Sequence, residues 1–212
     1  MYSRLKICGI TNLDDALITL EIGAHWLGFN FYPESPRYVK PEAAATIIEE
    51  IKDLVHCVGI LVRPTLEEVQ DIIKQTDVDR IQIYQPQDFD DLSKFDVPAI
   101  ICYQVNPDQP ADYDFMGADM ILLDSYSKLL AGGTGKSFNW SLIPDSIPRE
   151  KLILAGGITT ENIGEALRTV NPSVIDVASG SEKEPGVKDY KKIKELMNEL
   201  YLYHHEQSKN EN

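Results

Sequence analysis

Arg4-Leu5-Lys6-Ile7-Cys8-Gly9-Ile10-Thr11-Asn12-Leu13-Asp14-Asp15-Ala16 opens the chain with the unit that decides its fold. Residues 4–8 alternate polar and apolar side chains, the period of a strand. Thr11 or Asn12 is placed to cap a helix over 12–22, and Asp14 and Asp15 suit its positive N-terminal end. A second strand follows near 25–31, so the chain starts β-α-β. The alternation then continues, with strands expected near 56–62, 79–84, 97–105, 119–124, 151–155 and 173–178. Helices are expected near 41–53, 65–76, 87–94, 109–116, 140–145, 160–169 and 188–203. Pro41 and Thr65 are reasonable helix starts. Eight strands, each followed by a helix or loop without a break in composition, predict an α/β fold. It is a single, compact (β/α)8 TIM barrel with several shortened helices. The barrel domain is expected over 1–203, with a polar, frayed tail over 204–212. An open doubly wound sheet is the structural alternative, but no GxGxxG follows the first strand.

The composition narrows the function classes. Twenty basic against thirty-four acidic residues give a net charge of −14, which argues against a broad nucleic-acid surface. Any anion site must therefore work through local backbone dipoles and a few placed cations. No run approaches the roughly 20 apolar residues of a membrane span, and no signal-peptide core follows Met1, so a cytoplasmic location is expected. Cys8, Cys57 and Cys102 are scattered, suiting neither a disulfide framework nor a zinc site. The sequon Asn139-Trp140-Ser141 means little without secretion.

In a barrel, alternate strand residues face the helices and the interior. If Leu5 and Ile7 face the helices, Arg4, Lys6 and Cys8 point inward. On the sixth strand Met120, Leu122 and Asp124 share a face, and on the eighth Val174 and Asp176 do. Barrel interiors are usually filled by branched apolar residues, and chemistry gathers at the C-terminal rim. A thiol and two carboxylates arriving there from distant strands mark candidate catalytic groups. Singly, each has a bland reading: a buried small hydrophobe for Cys8, a turn cap for Asp124, a satisfied buried carboxylate for Asp176.

Leu154-Ala155-Gly156-Gly157-Ile158-Thr159 follows the seventh strand and Ala178-Ser179-Gly180-Ser181 the eighth. Glycines there let backbone N–H groups turn toward an anion, and these two loops are the usual phosphate site of barrel enzymes. Gly132-Gly133-Thr134-Gly135-Lys136-Ser137 is not a nucleotide-binding loop, because that pattern needs glycine where Leu130 stands. Residues 125–139 are read instead as a mobile lid.

Taken together, several segments resemble phosphoribosylanthranilate isomerases. They include Lys6-Ile7-Cys8-Gly9-Ile10-Thr11, Leu27-Gly28-Phe29-Asn30-Phe31, Ser35-Pro36-Arg37-Tyr38 and Leu122-Leu123-Asp124-Ser125. Gly132 to Lys136, Leu154 to Ile158, Asp176 to Glu182 and Pro185-Gly186 extend the likeness to the last strand. The resemblance implies an Amadori rearrangement of N-(5-phosphoribosyl)anthranilate, needing no metal or cofactor. By that pattern Cys8 is the general base and Asp124 the general acid. Arg37 holds the anthranilate carboxylate, with Asp176, Lys6 and Asn30 around the substrate. Gly156, Gly157, Ser179 and Gly180 bind its phosphate. The implied partner is a small phosphorylated sugar; oligomeric state is not readable. A thiol base works best if its pKa falls below the free value of about 8.5, and Lys6 on the same strand face is expected to help lower it.

The chain departs from that pattern at Tyr84-Gln85, where the family has His-Gly, at Ile101 and Gln104, where Lys and Arg are common, and at Asn139, which replaces Asp. Tyr84 and Gln104 are expected on the barrel rim. Those losses keep two further readings open: another sugar-phosphate isomerase or epimerase on the same barrel, and a non-catalytic sugar-phosphate binder.

Overall fold

The structure, a computed structural model, describes residues 2–106, 113–125 and 138–210. Eight parallel strands close into a barrel in sequence order. They are β1 (Arg4–Cys8), β2 (Trp26–Asn30), β3 (His56–Val62), β4 (Arg80–Tyr84), β5 (Ala99–Val105), β6 (Met120–Ser125), β7 (Leu152–Leu154) and β8 (Val174–Val177). Closure sets β8 beside β1 with Lys6 opposite Asp176. The α-helices among the described residues are α1 (Leu13–Ile22), α2 (Pro41–Ile51), α3 (Leu66–Thr76), α4 (Ile163–Val170) and α5 (Tyr190–Asn210). Two short antiparallel strands, β9 (Glu182–Glu184) and β10 (Val187–Lys188), form a hairpin between β8 and α5.

Local chemistry explains where these elements start. Of the two candidate caps of α1, Asn12 is the one used, its Oδ1 accepting from the Asp15 N–H at 2.8 Å. Thr65 and Glu68 form a reciprocal capping box at α3. On α5, Ile193, Leu196, Met197, Leu200 and Tyr203 are buried, an apolar stripe at helical spacing. That helix does not end where the stripe does. The polar segment expected to fray from His204 stays helical to Asn210, held by a Tyr2–His204 edge contact at 4.9 Å and an Arg168–Glu206 pair at 3.3 Å.

Two expected helices are reduced to single 3-10 turns, Leu92–Lys94 and Trp140–Leu142. In each, an Asp or Asn side chain (Asp91, Asn139) accepts from the backbone N–H two residues on, a local bond that competes with helix propagation. The helix expected over 109–116 falls partly outside the described residues, and residues 113–116 are not helical. The lid proposed for 125–139, with the Gly132–Ser137 motif, lies outside them too, apart from Ser125, Phe138 and Asn139. Among the described residues, no helix is long and apolar enough to cross a membrane.

Alternate strand residues do split between two cores. Leu5, Ile7, Ile83, Ile121, Leu123 and Ile175 pack outward against the helices. Trp26, Val58, Ile100, Met120, Leu122, Ile153 and Val174 fill the barrel interior. This split fixes the inward set. Lys6, Cys8, Asp124 and Asp176 must share the interior face, above a plug of apolar side chains. Ile101, by contrast, faces the helix layer, so that departure from the family pattern leaves the barrel interior unchanged.

Candidate active site

At the C-terminal ends of the strands, Cys8 from β1 and Asp124 from β6 line one cavity, together with Arg37, Tyr84 and Asp176. Strand register alone had placed both groups at the rim; closure of the sheet makes them face a common space.

Asp124 is buried in the cavity wall, 7% exposed. Its Oδ1 accepts from the Ser125 N–H at 2.7 Å and Oδ2 lies 3.4 Å from the Tyr84 hydroxyl. Burial pushes its carboxyl up to about 6, with the nearby Asp176 charge adding to the rise and the Ser125 and Tyr84 bonds opposing it. Such a group is partly protonated near neutrality, the state a general acid needs. The Tyr84 hydroxyl is itself held well above its ordinary value by burial, so it remains a donor toward Asp124.

Cys8 behaves differently from expectation. Burial raises its thiol above the ordinary value; Lys6 is the strongest influence pulling it back, followed by Lys188 and Arg37, while Asp176 adds to the rise. Lys6 thus acts in the expected direction without overcoming desolvation. Lys6 also does not reach the substrate space. Fully buried, it donates to Asp176 Oδ2 at 2.8 Å and to Gln82 Oε1 at 2.7 Å, below the cavity floor. Burial opposes its charge most strongly, but Asp176 together with Cys8 and Cys102 outweighs it, and its pKa lies above the usual lysine value. The other Asp176 oxygen, Oδ1, is buried at the cavity without a partner among the described residues, an acceptor free for a sugar hydroxyl.

Asn30 lines the cavity, yet its amide is engaged with its own loop: Oδ1 accepts from the Tyr32 N–H at 2.9 Å and Nδ2 donates to Ser35 Oγ at 3.1 Å. Ser35 Oγ in turn accepts from the Arg37 N–H at 3.1 Å. Asn30 therefore shapes the loop that carries Arg37. Arg37 is 8% exposed and spends Nε and Nη2 on Glu182, leaving Nη1 without a partner among the described residues.

The two glycine loops meet. Gly156 and Gly157 adopt φ of 85° and 63°, in the left-handed region that favours glycine. A side chain at Gly156 would strike the Ser125 amide, and one at Gly180 the Ile158 carbonyl. Gly156, Gly157 and Ser179 line the cavity, whereas Gly180 lies behind them and lets the second loop pack on the first. The two loops thus bring their backbones close together at the cavity wall.

Of the expected site residues, only Lys6 and Gly180 lie off the cavity wall. Three contributors were missed: Gln82, Glu182 and Lys188. Gln82 stands at the glutamine of the family's Gln-Leu-His-Gly segment on β4, a match to which the sequence attached no role. For the other two the available cue was Glu182-Lys183-Glu184-Pro185-Gly186-Val187-Lys188, a Pro-Gly turn between charged flanks, the mark of a tight hairpin. Among the described residues, no group of three or more His, Cys, Asp or Glu is arranged to hold a metal ion.

The family model of N-(5'-phosphoribosyl)anthranilate (PRA) isomerase matches residues 5–199. The chain belongs to the PRA isomerase family. A PRA isomerase of Trichlorobacter lovleyi is 40% identical over 199 residues, covering 92% of this chain and 96% of that protein. The crystal structure of the Thermus thermophilus phosphoribosyl anthranilate isomerase superposes with a TM-score of 0.81 at 32% identity, covering 94% of this chain and 98% of that one. A PRA isomerase crystallised with reduced 1-(o-carboxyphenylamino)-1-deoxyribulose 5-phosphate gives 0.74 at 30% identity, covering 94% and 98%. Within this PRA isomerase barrel, Tyr84 stands at the cavity as a neighbour of the buried carboxyl.

Proposed function

We infer that the chain converts N-(5'-phosphoribosyl)anthranilate to 1-(2-carboxyphenylamino)-1-deoxyribulose 5-phosphate, an aldose–ketose isomerisation of tryptophan biosynthesis, with Asp124 as acid and Cys8 as base. The observation that carries this reading is the sharing of one cavity by a carboxyl raised to about 6, a thiol from a distant strand and two glycine loops.

Asp124 delivers its proton to the ribose ring oxygen. The C1'–O bond breaks as the anilino nitrogen's electron pair forms a C1'=N iminium. The cation makes the C2' proton acidic, and the Cys8 thiolate removes it. The C–H electrons form a C1'=C2' bond while the iminium electrons return to nitrogen. The resulting enol takes a proton from solvent at C1' as its C2' hydroxyl releases one, which gives the ketone of the product. Arg37 offers its free Nη1 to the anthranilate carboxylate, Asp176 Oδ1 accepts from a sugar hydroxyl, and the 156–157 and 179–180 loops hold the phosphate. Lys6 acts from below, holding Asp176 Oδ2 in place and drawing the Cys8 thiol toward its anion.

With the carboxyl near 6 and the thiol raised, the productive pair (carboxylic acid with thiolate) is a minority form near neutrality. Fixed placement must then supply much of the rate. The reaction uses no metal or cofactor in this scheme, the partner is a small phosphorylated sugar rather than nucleic acid, and the setting is the cytoplasm.

Fluorescence decay of phosphoribosylanthranilate on adding the purified chain, above its spontaneous breakdown, tests the activity. Cys8→Ser and Asp124→Asn each lower kcat by about 10²–10⁴-fold with unchanged circular dichroism. Wild-type turnover in either variant removes that residue from the mechanism, and calorimetric binding by the wild type without turnover replaces the enzyme with a sugar-phosphate binder.

A further inference from the structure

The hairpin after β8 carries two buried charges that the reaction scheme does not use. Glu182 is 4% exposed and Lys188 1%. Glu182 receives one edge of the Arg37 guanidinium, Nε to Oε1 at 2.9 Å and Nη2 to Oε2 at 2.7 Å. It also accepts from Lys188 Nζ at 2.9 Å. The remaining Lys188 donors point to the Cys8 carbonyl at 2.5 Å and to Ser181 Oγ at 3.5 Å. That hydroxyl already donates to the Ala178 carbonyl, so it faces Lys188 as an acceptor. Burial pulls the Lys188 pKa below the usual lysine value and Glu182 opposes that fall, while three acceptors around Nζ are the surroundings of an ammonium.

Burial alone would raise the Glu182 carboxyl, but Arg37 and Lys188 hold it below the usual range. The triad is two cations on one anion, which leaves a surplus positive charge beside the cavity of a chain whose net charge is −14. A buried arrangement of this kind is weak evidence for added stability, since desolvation offsets most of the attraction. Its geometry points elsewhere. One member grips the side chain facing the substrate's carboxylate, and another grips the backbone of the base.

Resting on the roles given above to Cys8 and Arg37, we propose that Glu182 and Lys188 are positioning residues of the isomerisation. Glu182 orients Arg37 so that Nη1 alone meets the substrate's carboxylate. Lys188 fixes the end of β1 and places a cation near the Cys8 thiol. The hairpin thereby sets the distance between the anthranilate clamp and the base. The charged and titratable groups facing the thiol are Lys6 on its own strand, Asp176 on β8, Lys188 on β10, Arg37 in the loop after β2, and Tyr84 on β4.

The test separates thiol chemistry from turnover. Cys8 is alkylated with iodoacetamide from about pH 7 to about pH 11.5, a window reaching well above the free thiol value, and modification is read peptide by peptide in the mass spectrometer. Lys188→Met is expected to move the Cys8 midpoint up by about one unit and to lower kcat by about tenfold, with KM little changed. Glu182→Gln is expected to raise KM about tenfold with a smaller effect on kcat, because Arg37 loses its orientation. Should Lys188→Met fail to fold, Lys188→Gln keeps a donor for the Cys8 carbonyl without the charge, and the same upward midpoint is expected. An unmoved midpoint in a folded Lys188 variant, or an unchanged KM in folded Glu182→Gln, overturns the proposal. Wild-type turnover by Cys8→Ser overturns the assignment of the base instead, and leaves the alkylation shift standing or falling by itself.

Discussion

The rim of β1 and the rim of β6 each present one titratable group to the cavity, and burial acts on them with the same sign and opposite consequence. At β6 it raises the Asp124 carboxyl to about 6, toward the protonated form an acid needs. At β1 it raises the Cys8 thiol, away from the anion a base needs. The surroundings differ accordingly. Around Cys8 the cations Lys6, Lys188 and Arg37 all pull the thiol down, whereas Asp124 has the Asp176 carboxylate and neutral donors from Ser125 and Tyr84. One low-dielectric cavity thus serves two opposed tasks, and the placement of charge separates them.

Removing the central cation should break the contrast most severely. Lys6→Met leaves Asp176 and Gln82 without their shared donor inside the barrel, and a loss of about 3–5 kcal/mol is expected from urea unfolding at neutral pH. In whatever fraction folds, the Cys8 alkylation midpoint should rise further. A variant as stable as the wild type would show that Asp176 does not depend on Lys6.

Next in size is a gain of stability at the acid's position. The carboxyl moves from an ordinary value of 3.8 to about 6 on folding. Between those values the folded state keeps a proton the unfolded chain has released, so stability falls as pH rises through that window and is level above it. Two units correspond to roughly 3 kcal/mol. Asp124→Asn has no such titration. Its unfolding free energy relative to wild type is therefore expected to improve by roughly 3 kcal/mol between pH 4 and pH 8, while activity is lost. A constant difference across that range would mean that the carboxyl is not raised.

Smallest is the effect of the neutral donor. Tyr84 lies 3.4 Å from Asp124 Oδ2, too long for a strong bond. Tyr84→Phe is expected to raise the Asp124 midpoint, followed by carbon-13 NMR of the carboxyl, by about half a unit. A fall would reverse the sense of the contact and make Tyr84 an acceptor of the acid's proton.

Much of the fold was legible because its signals are local. Period-two alternation on β1, β6 and β8 placed Lys6, Cys8, Asp124 and Asp176 on the interior face, and the two-core packing bears that assignment out. Capping chemistry located α1 and α3, while the same side-chain chemistry shortened the 87–94 and 140–145 segments, where Asp91 and Asn139 bind the backbone themselves. The glycines of 156–157 were readable because a left-handed backbone leaves few other residues.

The amino-acid sequence by itself determined the strand–helix alternation, the inward faces and the glycine loops, since each depends on neighbours a few residues away. Only the closed barrel decided that Arg37 pairs with Glu182, 145 residues on, and that Lys188 reaches the carbonyl of Cys8 across 180 residues. It also decided that the thiol is raised although Lys6 stands two positions back on the same face. The physical reason is that desolvation and charge pairing depend on what surrounds a group in three dimensions, while periodicity and backbone sterics are written along one.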